Sequence, residues 1–230
     1  MSRRRFMSKS GLIIPPAPPS GCVAWYLFLP DNLGKDYSGN NLNATSQSAV
    51  TYKEPPDDKR LHGGCVSFDS RLAFISVPHN SLLSFASDFS FEFWIKAQGF
   101  NVYNTALAKG YSNSWVSPYC EYLAQATSSS FYCGLTSDAT STDRRIHYSM
   151  STNIWYHVVF TCNSLRATTL YINGKLIGAS SGSISRGDGP LILGNAVNKS
   201  ESLVGLMNNL RIYNRVLSAT EVSQHYNDEQ

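Results

Sequence analysis

The clearest regularity along the chain is a period of two. Phe89, Phe91, Phe93 and Ile95 alternate with Ser90, Glu92, Trp94 and Lys96, which predicts a strand with one buried face, because successive strand side chains point to opposite sides. Trp155-Tyr156-His157-Val158-Val159-Phe160-Thr161-Cys162 is apolar on both faces, as for a strand at the centre of a sandwich. Leu170-Tyr171-Ile172-Asn173-Gly174-Lys175-Leu176-Ile177 sets Asn-Gly between two apolar runs, the strongest short signal for a hairpin. Further strands are expected at Val50–Tyr52, Cys65–Phe68, Leu72–Val77, Thr105–Lys109, Tyr119–Ala126, Phe131–Leu135, Arg145–Ser149, Leu191–Leu193 and Leu203–Tyr213. Ser218-Ala219-Thr220-Glu221 is a capping box that opens a short C-terminal helix through Tyr226. More than ten short strands with no interior linker predict one all-β jelly-roll β-sandwich over residues 22–230.

Residues 1–21 break this pattern. Arg3, Arg4, Arg5 and Lys9 form a basic tip, and four of the ten prolines follow between Pro15 and Pro19. Such a segment favours extended polyproline-like backbone, so it is read as an N-terminal anchoring arm outside the core. The net charge of +3 belongs to this arm: beyond residue 10, fifteen Lys and Arg face sixteen Asp and Glu. A domain near −1 lacks the basic face that specific nucleic-acid binding needs. The hydrophobic share of 42% and charged share of 15% exclude disorder along the whole length.

The longest apolar run, Cys22 to Leu29, falls far short of the roughly 20 residues of a membrane-spanning helix. After the three arginines, only Gly11-Leu12-Ile13-Ile14 precede the prolines, so no ordinary secretion signal is expected; Ser20-Gly21-Cys22 as a lipidation site is the alternative. The five cysteines have no CxxC spacing and no histidine at zinc-ligand intervals. Cys120 and Cys133 flank a possible hairpin, yet buried free thiols are the default without export.

Several segments, in order, resemble one family. Ala24-Trp25-Tyr26-Leu27-Phe28 leads to Asp36-Tyr37-Ser38-Gly39-Asn40-Asn41-Leu42. Val66-Ser67-Phe68-Asp69 and Phe74-Ile75-Ser76-Val77-Pro78 precede Asp88-Phe89-Ser90-Phe91-Glu92-Phe93-Trp94-Ile95-Lys96. Trp155-Tyr156-His157-Val158-Val159-Phe160, Leu170-Tyr171-Ile172-Asn173-Gly174 and the stretch from Gly205 to Leu217 with Glu221 complete the series. Residues 22–226 thus resemble laminin-G-like, concanavalin-A-like lectin domains. The resemblance implies a concanavalin-A-like jelly roll that recognises glycans or protein surfaces.

It also implies where chemistry would sit. Glycosidases on this scaffold need two carboxylates facing one bond, which on a strand means acids two or four residues apart. Glu92 and Glu121 stand alone in their strands, and Glu54, Asp57, Asp58, Asp228 and Glu229 fall in turn or terminal sequence. No catalytic residue is assigned, although carboxylates from separate strands can converge in space. No Ser-His-Asp arrangement is indicated; His157 reads as a packing residue, and His62, His79 and His225 as solvated. Calcium is the family's usual cation, and its site would form at Asp36, Asn40 and the nearby turn carbonyls. Asn208 stands where the family often has Asp, which weakens that site; a plain tight turn is the alternative. Tyr103, Tyr111, Trp115 and Tyr119, set among Asn, Ser, Gly and Pro, are the candidate glycan-binding aromatics, the alternative being rings packed on the rim or on a neighbouring subunit.

The expectation is therefore a non-catalytic adhesion module. Its arm would join other protein subunits of an oligomeric assembly, and its sandwich would take host or cell-surface glycans. A virion surface reconciles a recognition domain with no export signal; a bacterial cell surface or extracellular setting is the alternative. A purely structural assembly protein and a glycoside hydrolase are the competing functions.

Overall fold

The computed structural model describes residues 17–56, 61–99, 104–110, 120–127, 130–135, 145–183 and 187–230. Fifteen strands among them form two antiparallel sheets packed face to face. One sheet runs β13 (Lys175–Ser181), β12 (Ala167–Ile172), β11 (Tyr156–Cys162), β6 (Phe89–Ala97), β15 (Gly205–Tyr213), β4 (Cys65–Phe68) and β3 (Val50–Lys53), with β1 (Cys22–Tyr26) also paired to β15. The other runs β10 (Ile146–Tyr148), β9 (Phe131–Leu135), β8 (Cys120–Ala126), β7 (Asn104–Gly110), β14 (Leu191–Leu193), β5 (Phe74–Val77) and β2 (Ser46–Ser48). Their inner faces enclose one core, in which Phe91 of β6 stacks on Phe160 of β11 at 5.2 Å between centroids, and Phe89 lies 5.4 Å from Tyr122 of β8. The all-β jelly-roll expectation holds, and Ser46–Ser48, too polar to register as a strand, is added to it.

The period of two in β6 sets the register but not the exposure. Glu92 and Trp94 point away from the core, yet both are 1% exposed. A third layer explains this: helix α1 (Ala219–Glu229) covers the outer face of the eight-stranded sheet, where Trp25 of β1, Val159, Tyr213, Leu217 and Val222 form a second apolar cluster. The capping box is present, with Ser218 Oγ accepting from Glu221 N and the Glu221 side chain accepting from Ser218 N. The helix runs three residues beyond Tyr226, as far as Glu229, which is itself 2% exposed.

Two local features place side chains used below. Asn173 and Gly174 adopt φ of +50° and +74°, the two positive values of a type I′ hairpin turn. In β15 the register slips between Asn208 and Arg211, with Asn209 at φ +51°, a bulge that turns extra polar groups under α1.

Residues 19–21 are tied to the sandwich: Cys22 N donates to Pro19 O, Arg215 Nε to Ser20 O and Asn214 N to Gly21 O. Arg3, Arg4, Arg5 and Lys9 lie outside the described residues. Cys22, Cys65, Cys133 and Cys162 are free and buried. Cys133 pairs in register with Ala124, four residues and about 13 Å along β8 from Cys120, too far for a disulfide. Burial pushes the Cys22 and Cys65 thiols up to about 12, so they are inert at neutral pH.

Candidate functional site

Polar groups collect on the outer face of each sheet. Beneath α1, carboxylates from separate elements do converge. Arg211 on β15 donates through Nη1 to Glu92 Oε1 of β6 at 2.7 Å and through Nη2 to Glu229 Oε1 of α1 at 2.5 Å. Glu229 also accepts from Trp94 Nε1 at 2.6 Å and from the bulged Asn209 Nδ2 at 2.7 Å; Asn209 Oδ1 in turn accepts from Trp25 Nε1. Glu92 accepts from the Tyr213 hydroxyl, and His225 Nδ1 lies 2.9 Å from its Oε2. His157 Nε2 is 3.5 Å from Glu92 Oε2, and its ring packs against Trp94 and Tyr226, which also stack on each other. His62 Nε2 approaches Glu229 Oε1 to 3.8 Å.

This centre fastens the helix to the sheet. Burial alone would raise the Glu92 carboxyl, but Arg211 and then His157 and His225 outweigh it and hold it well below the usual carboxylate range. Glu229 is lowered in the same way by Arg211 and His157 against the opposing effect of burial. Two ionised carboxylates sharing one arginine offer no raised acid for glycoside hydrolysis. The reading of His225 and His62 as solvated is corrected. Burial lowers His62 more than Glu229 raises it, while Glu92 outweighs burial at His225 and raises it. For the carboxylates, stability is complete above pH 4.5, the unfolded value, and is lost as pH falls below it. His225 adds stability that is complete below 6.5 and fades as pH rises above it, and His62 acts in the opposite sense. Urea midpoints between pH 7.5 and 3 are therefore expected to change little near 6.5 and to fall steeply below 4.5. Glu92→Gln should flatten that acid limb.

The outer face of the seven-stranded sheet carries the second centre. Tyr122, Ala124 and Ala126 of β8 enter the core, so Glu121, Leu123 and Gln125 share the opposite face. The stretches flanking β14 fold back over this row. Gly187 N donates to Glu121 Oε1, Val197 packs on Ala108 and Leu123, and Glu201 Oε2 accepts from Gln125 Nε2 at 2.6 Å. Gln125 Nε2 also donates to Thr105 Oγ1, and its Oε1 accepts from the Tyr132 hydroxyl. Above Tyr132 sit the Arg145 guanidinium, 4.6 Å from the ring centroid, and the exposed His147, whose ring centroid is 5.2 Å away. Glu121 Oε1 pairs with Lys109 Nζ at 2.9 Å, and its Oε2 accepts from Ser84 Oγ.

The calcium residues take other roles. Asp36 Oδ1 accepts from Trp25 N and Ser38 N, and Oδ2 from Leu42 N and Ser38 Oγ, at 2.8–2.9 Å. Asn40 Nδ2 donates to Val23 O, and Asn208 Nδ2 to His62 O and Gly64 O. These bonds organise a turn and a strand end, and among the described residues no three His, Cys, Asp or Glu side chains gather as a metal cluster. Gly178-Ala179-Ser180-Ser181-Gly182 has the Gly-x-Ser-x-Gly spacing of a nucleophile elbow, but Gly178 to Ser181 lie in the extended strand β13, without the sharp strand-to-helix turn that exposes such a serine. Tyr103, Tyr111, Trp115 and Tyr119 lie outside the described residues; between Tyr103 and Tyr111 the chain is strand β7.

The model of the concanavalin A-like lectin/glucanases superfamily matches residues 69–223. The chain belongs to this superfamily. Paraclostridial mosquitocidal protein 1 of Paraclostridium bifermentans is 26% identical over 209 residues, 84% of this chain and 16% of that protein. The crystal structure of its binding domain superimposes with a TM-score of 0.69 at 22% identity, covering 90% of this chain and 52% of the other. The botulinum neurotoxin type G receptor binding domain gives 0.67 at 18%, covering 90% and 51%. The ligand binding domain of serotype D, solved with N-acetylneuraminic acid, gives 0.69 at 18%, covering 90% and 50%. The chain thus spans about half of these solved domains and about one sixth of the mosquitocidal protein. At such identities the structural likeness establishes the jelly roll. No helix among the described residues is long and apolar enough to cross a membrane.

The network beneath α1 is what sequence reasoning missed. Period two assigned Glu92 and Trp94 to an outer face but could not supply the layer above it, because Glu229 lies 137 residues further along the chain. One signal was available: Asn208-Asn209 inside an otherwise apolar strand, since asparagine tolerates the positive φ of a bulge.

Proposed function

We propose that the chain is a non-catalytic recognition module that takes cell-surface glycans across the rim and outer face of the seven-stranded sheet. One observation carries the reading: the carboxylates of both outer faces are taken up by Arg211, Lys109 and Gln125, while the exposed His147 and the half-buried Arg145 and Ser130 gather around the Tyr132 ring. Sugar rings are held by such stacking and hydrogen-bonding surfaces. That the related solved structures are named as binding domains supports it. The aromatic residues Tyr111, Trp115 and Tyr119, which fall between β7 and β8 in the sequence, are assigned to the ligand.

The N-terminal arm, with Arg3, Arg4, Arg5 and Lys9, fastens the module to acidic surfaces of other subunits, on a virion surface in the reading preferred here. A second reading, favoured by the 26% identity to the mosquitocidal protein, makes it the recognition part of a toxin assembly. Glycan arrays probed with the full chain should give reproducible hits that Trp115→Ala removes. Turnover of a polysaccharide, abolished by Glu121→Gln or Glu201→Gln, would overturn the proposal. Deletion of residues 1–16 should leave array binding intact and abolish co-sedimentation with the parent assembly.

A further inference from the structure

Lys109 is the last residue but one of β7, and Glu121 the second of β8. Their side chains meet across the β7–β8 pair. The ammonium of Lys109 is wholly buried, with a side-chain exposure of 0%. Four acceptors surround it: Glu121 Oε1 at 2.9 Å, Gly189 O at 2.7 Å, Gly187 O at 3.3 Å and His79 Nδ1 at 3.4 Å. They come from three separate parts of the chain: β8, the stretch before β14, and the turn between β5 and the 3₁₀ turn Ser81–Leu83. Ser84 Oγ and Gly187 N complete the hydrogen bonds of Glu121, and Asp188 Oδ1 stands 3.7 Å from His79 Nε2.

A carboxylate and two backbone carbonyls converging on one buried positive charge are what a hard divalent cation selects. A lysine is an unusual occupant, because full burial of an ammonium is tolerated only where partners replace its hydration. Here each of its three protons has an acceptor within reach, so a tethered cation does what a bound ion would otherwise do. We infer that Lys109 Nζ is a built-in substitute for a metal ion, pinning the Gly187–Gly189 stretch and the His79 turn to the end of β7 and the start of β8. These three parts of the chain are thereby held together without calcium. Cutting the tether leaves a site for it made of the Glu121 carboxylate, the Gly187 and Gly189 carbonyls and water.

The inference deepens the proposed recognition role, since β7 and β8 flank in sequence the residues 111–119 that include Tyr111, Trp115 and Tyr119, but its test reads metal and stability and no glycan. Thermal melts of the full-length protein are compared in EDTA and in millimolar calcium. The wild-type Tm should be the same in both. Lys109→Ala should melt lower in EDTA and regain at least half of the loss in calcium, with a calcium Kd of about 10⁻⁴–10⁻³ M, typical of weak oxygen-ligand sites. Lys109→Ala combined with Glu121→Gln should regain nothing. If Lys109→Ala is insoluble in EDTA, refolding in calcium should recover soluble protein. The inference fails if calcium leaves Lys109→Ala unchanged or insoluble, if the double variant is rescued equally, or if EDTA lowers the wild-type Tm.

Discussion

Arg211→Met is expected to cost about 3–5 kcal/mol, the usual penalty for removing one partner from a buried ion network. Arg211 is the sole cation between Glu92 and Glu229 that stays charged at every accessible pH. Removing it leaves two carboxylates, 1% and 3% exposed, without their main counter-charge. Either they remain ionised in a poorly solvated layer or they take up protons, and both routes stabilise the unfolded chain relative to the folded one. For a chain of this size the loss corresponds to a Tm drop of roughly 6–20 °C. The variant should also shift the acid limb of the stability curve upward, because the carboxylates lose the charge that depresses them. Replacing Glu92, Arg211 and Glu229 together by apolar residues should recover only part of the loss. Trp94 Nε1 and Asn209 Nδ2 would then be left without their acceptor, and each unmet buried donor costs about 1–3 kcal/mol. A loss below about 1 kcal/mol for Arg211→Met would mean that the network is solvated and that α1 is held by Val222 and Leu217 alone.

Strand identity was legible wherever local sequence decides it. Cys65–Phe68, Phe131–Leu135 and Leu191–Leu193 coincide with their strands, and Asn173-Gly174 forms the turn its chemistry demands. The helix start was legible because Ser218 and Glu221 satisfy each other within one turn. Its end was not, since nothing local distinguishes Glu229 from a frayed terminus; what holds it is Trp94, Asn209 and Arg211. Burial failed for the same reason. An alternating strand announces two faces but not whether a third layer lies over one of them, so Glu92 looked exposed and His225 solvated. The site was legible only in outline. On β8, Leu123 and Gln125 occupy the two positions beyond Glu121 on its face where a second acid of a strand pair would stand. The partner that defines Glu121, Lys109, lies 12 residues away across a strand pair, and the acceptors that complete the lysine come from residues 79 and 187–189. No spacing rule connects positions that only the jelly-roll crossover brings together.

Asp36→Asn separates the two roles that its sequence context permits. Both carboxylate oxygens are saturated by donors: Trp25 N and Ser38 N on Oδ1, Leu42 N and Ser38 Oγ on Oδ2. Through them one side chain joins β1, the turn at residues 36–42 and, by way of Trp25, the layer under α1. An asparagine keeps the shape but turns one acceptor into an NH₂ donor. If the NH₂ faces Leu42 N, one buried amide is left unmet; if it faces Trp25 N and Ser38 N, two are. At about 1–3 kcal/mol for each unmet group, and with the charge-assisted part of the remaining bonds also gone, the variant should lose about 2–4 kcal/mol. The measurement is the urea midpoint, taken once in EDTA and once in millimolar calcium. A turn organiser predicts the same deficit in both, because its partners are backbone amides. A calcium ligand predicts a deficit that appears only with calcium, since an ion-free site would leave the carboxylate little to lose. Equal deficits place Asp36 among the residues that build the fold, and a calcium-dependent one would return it to the metal.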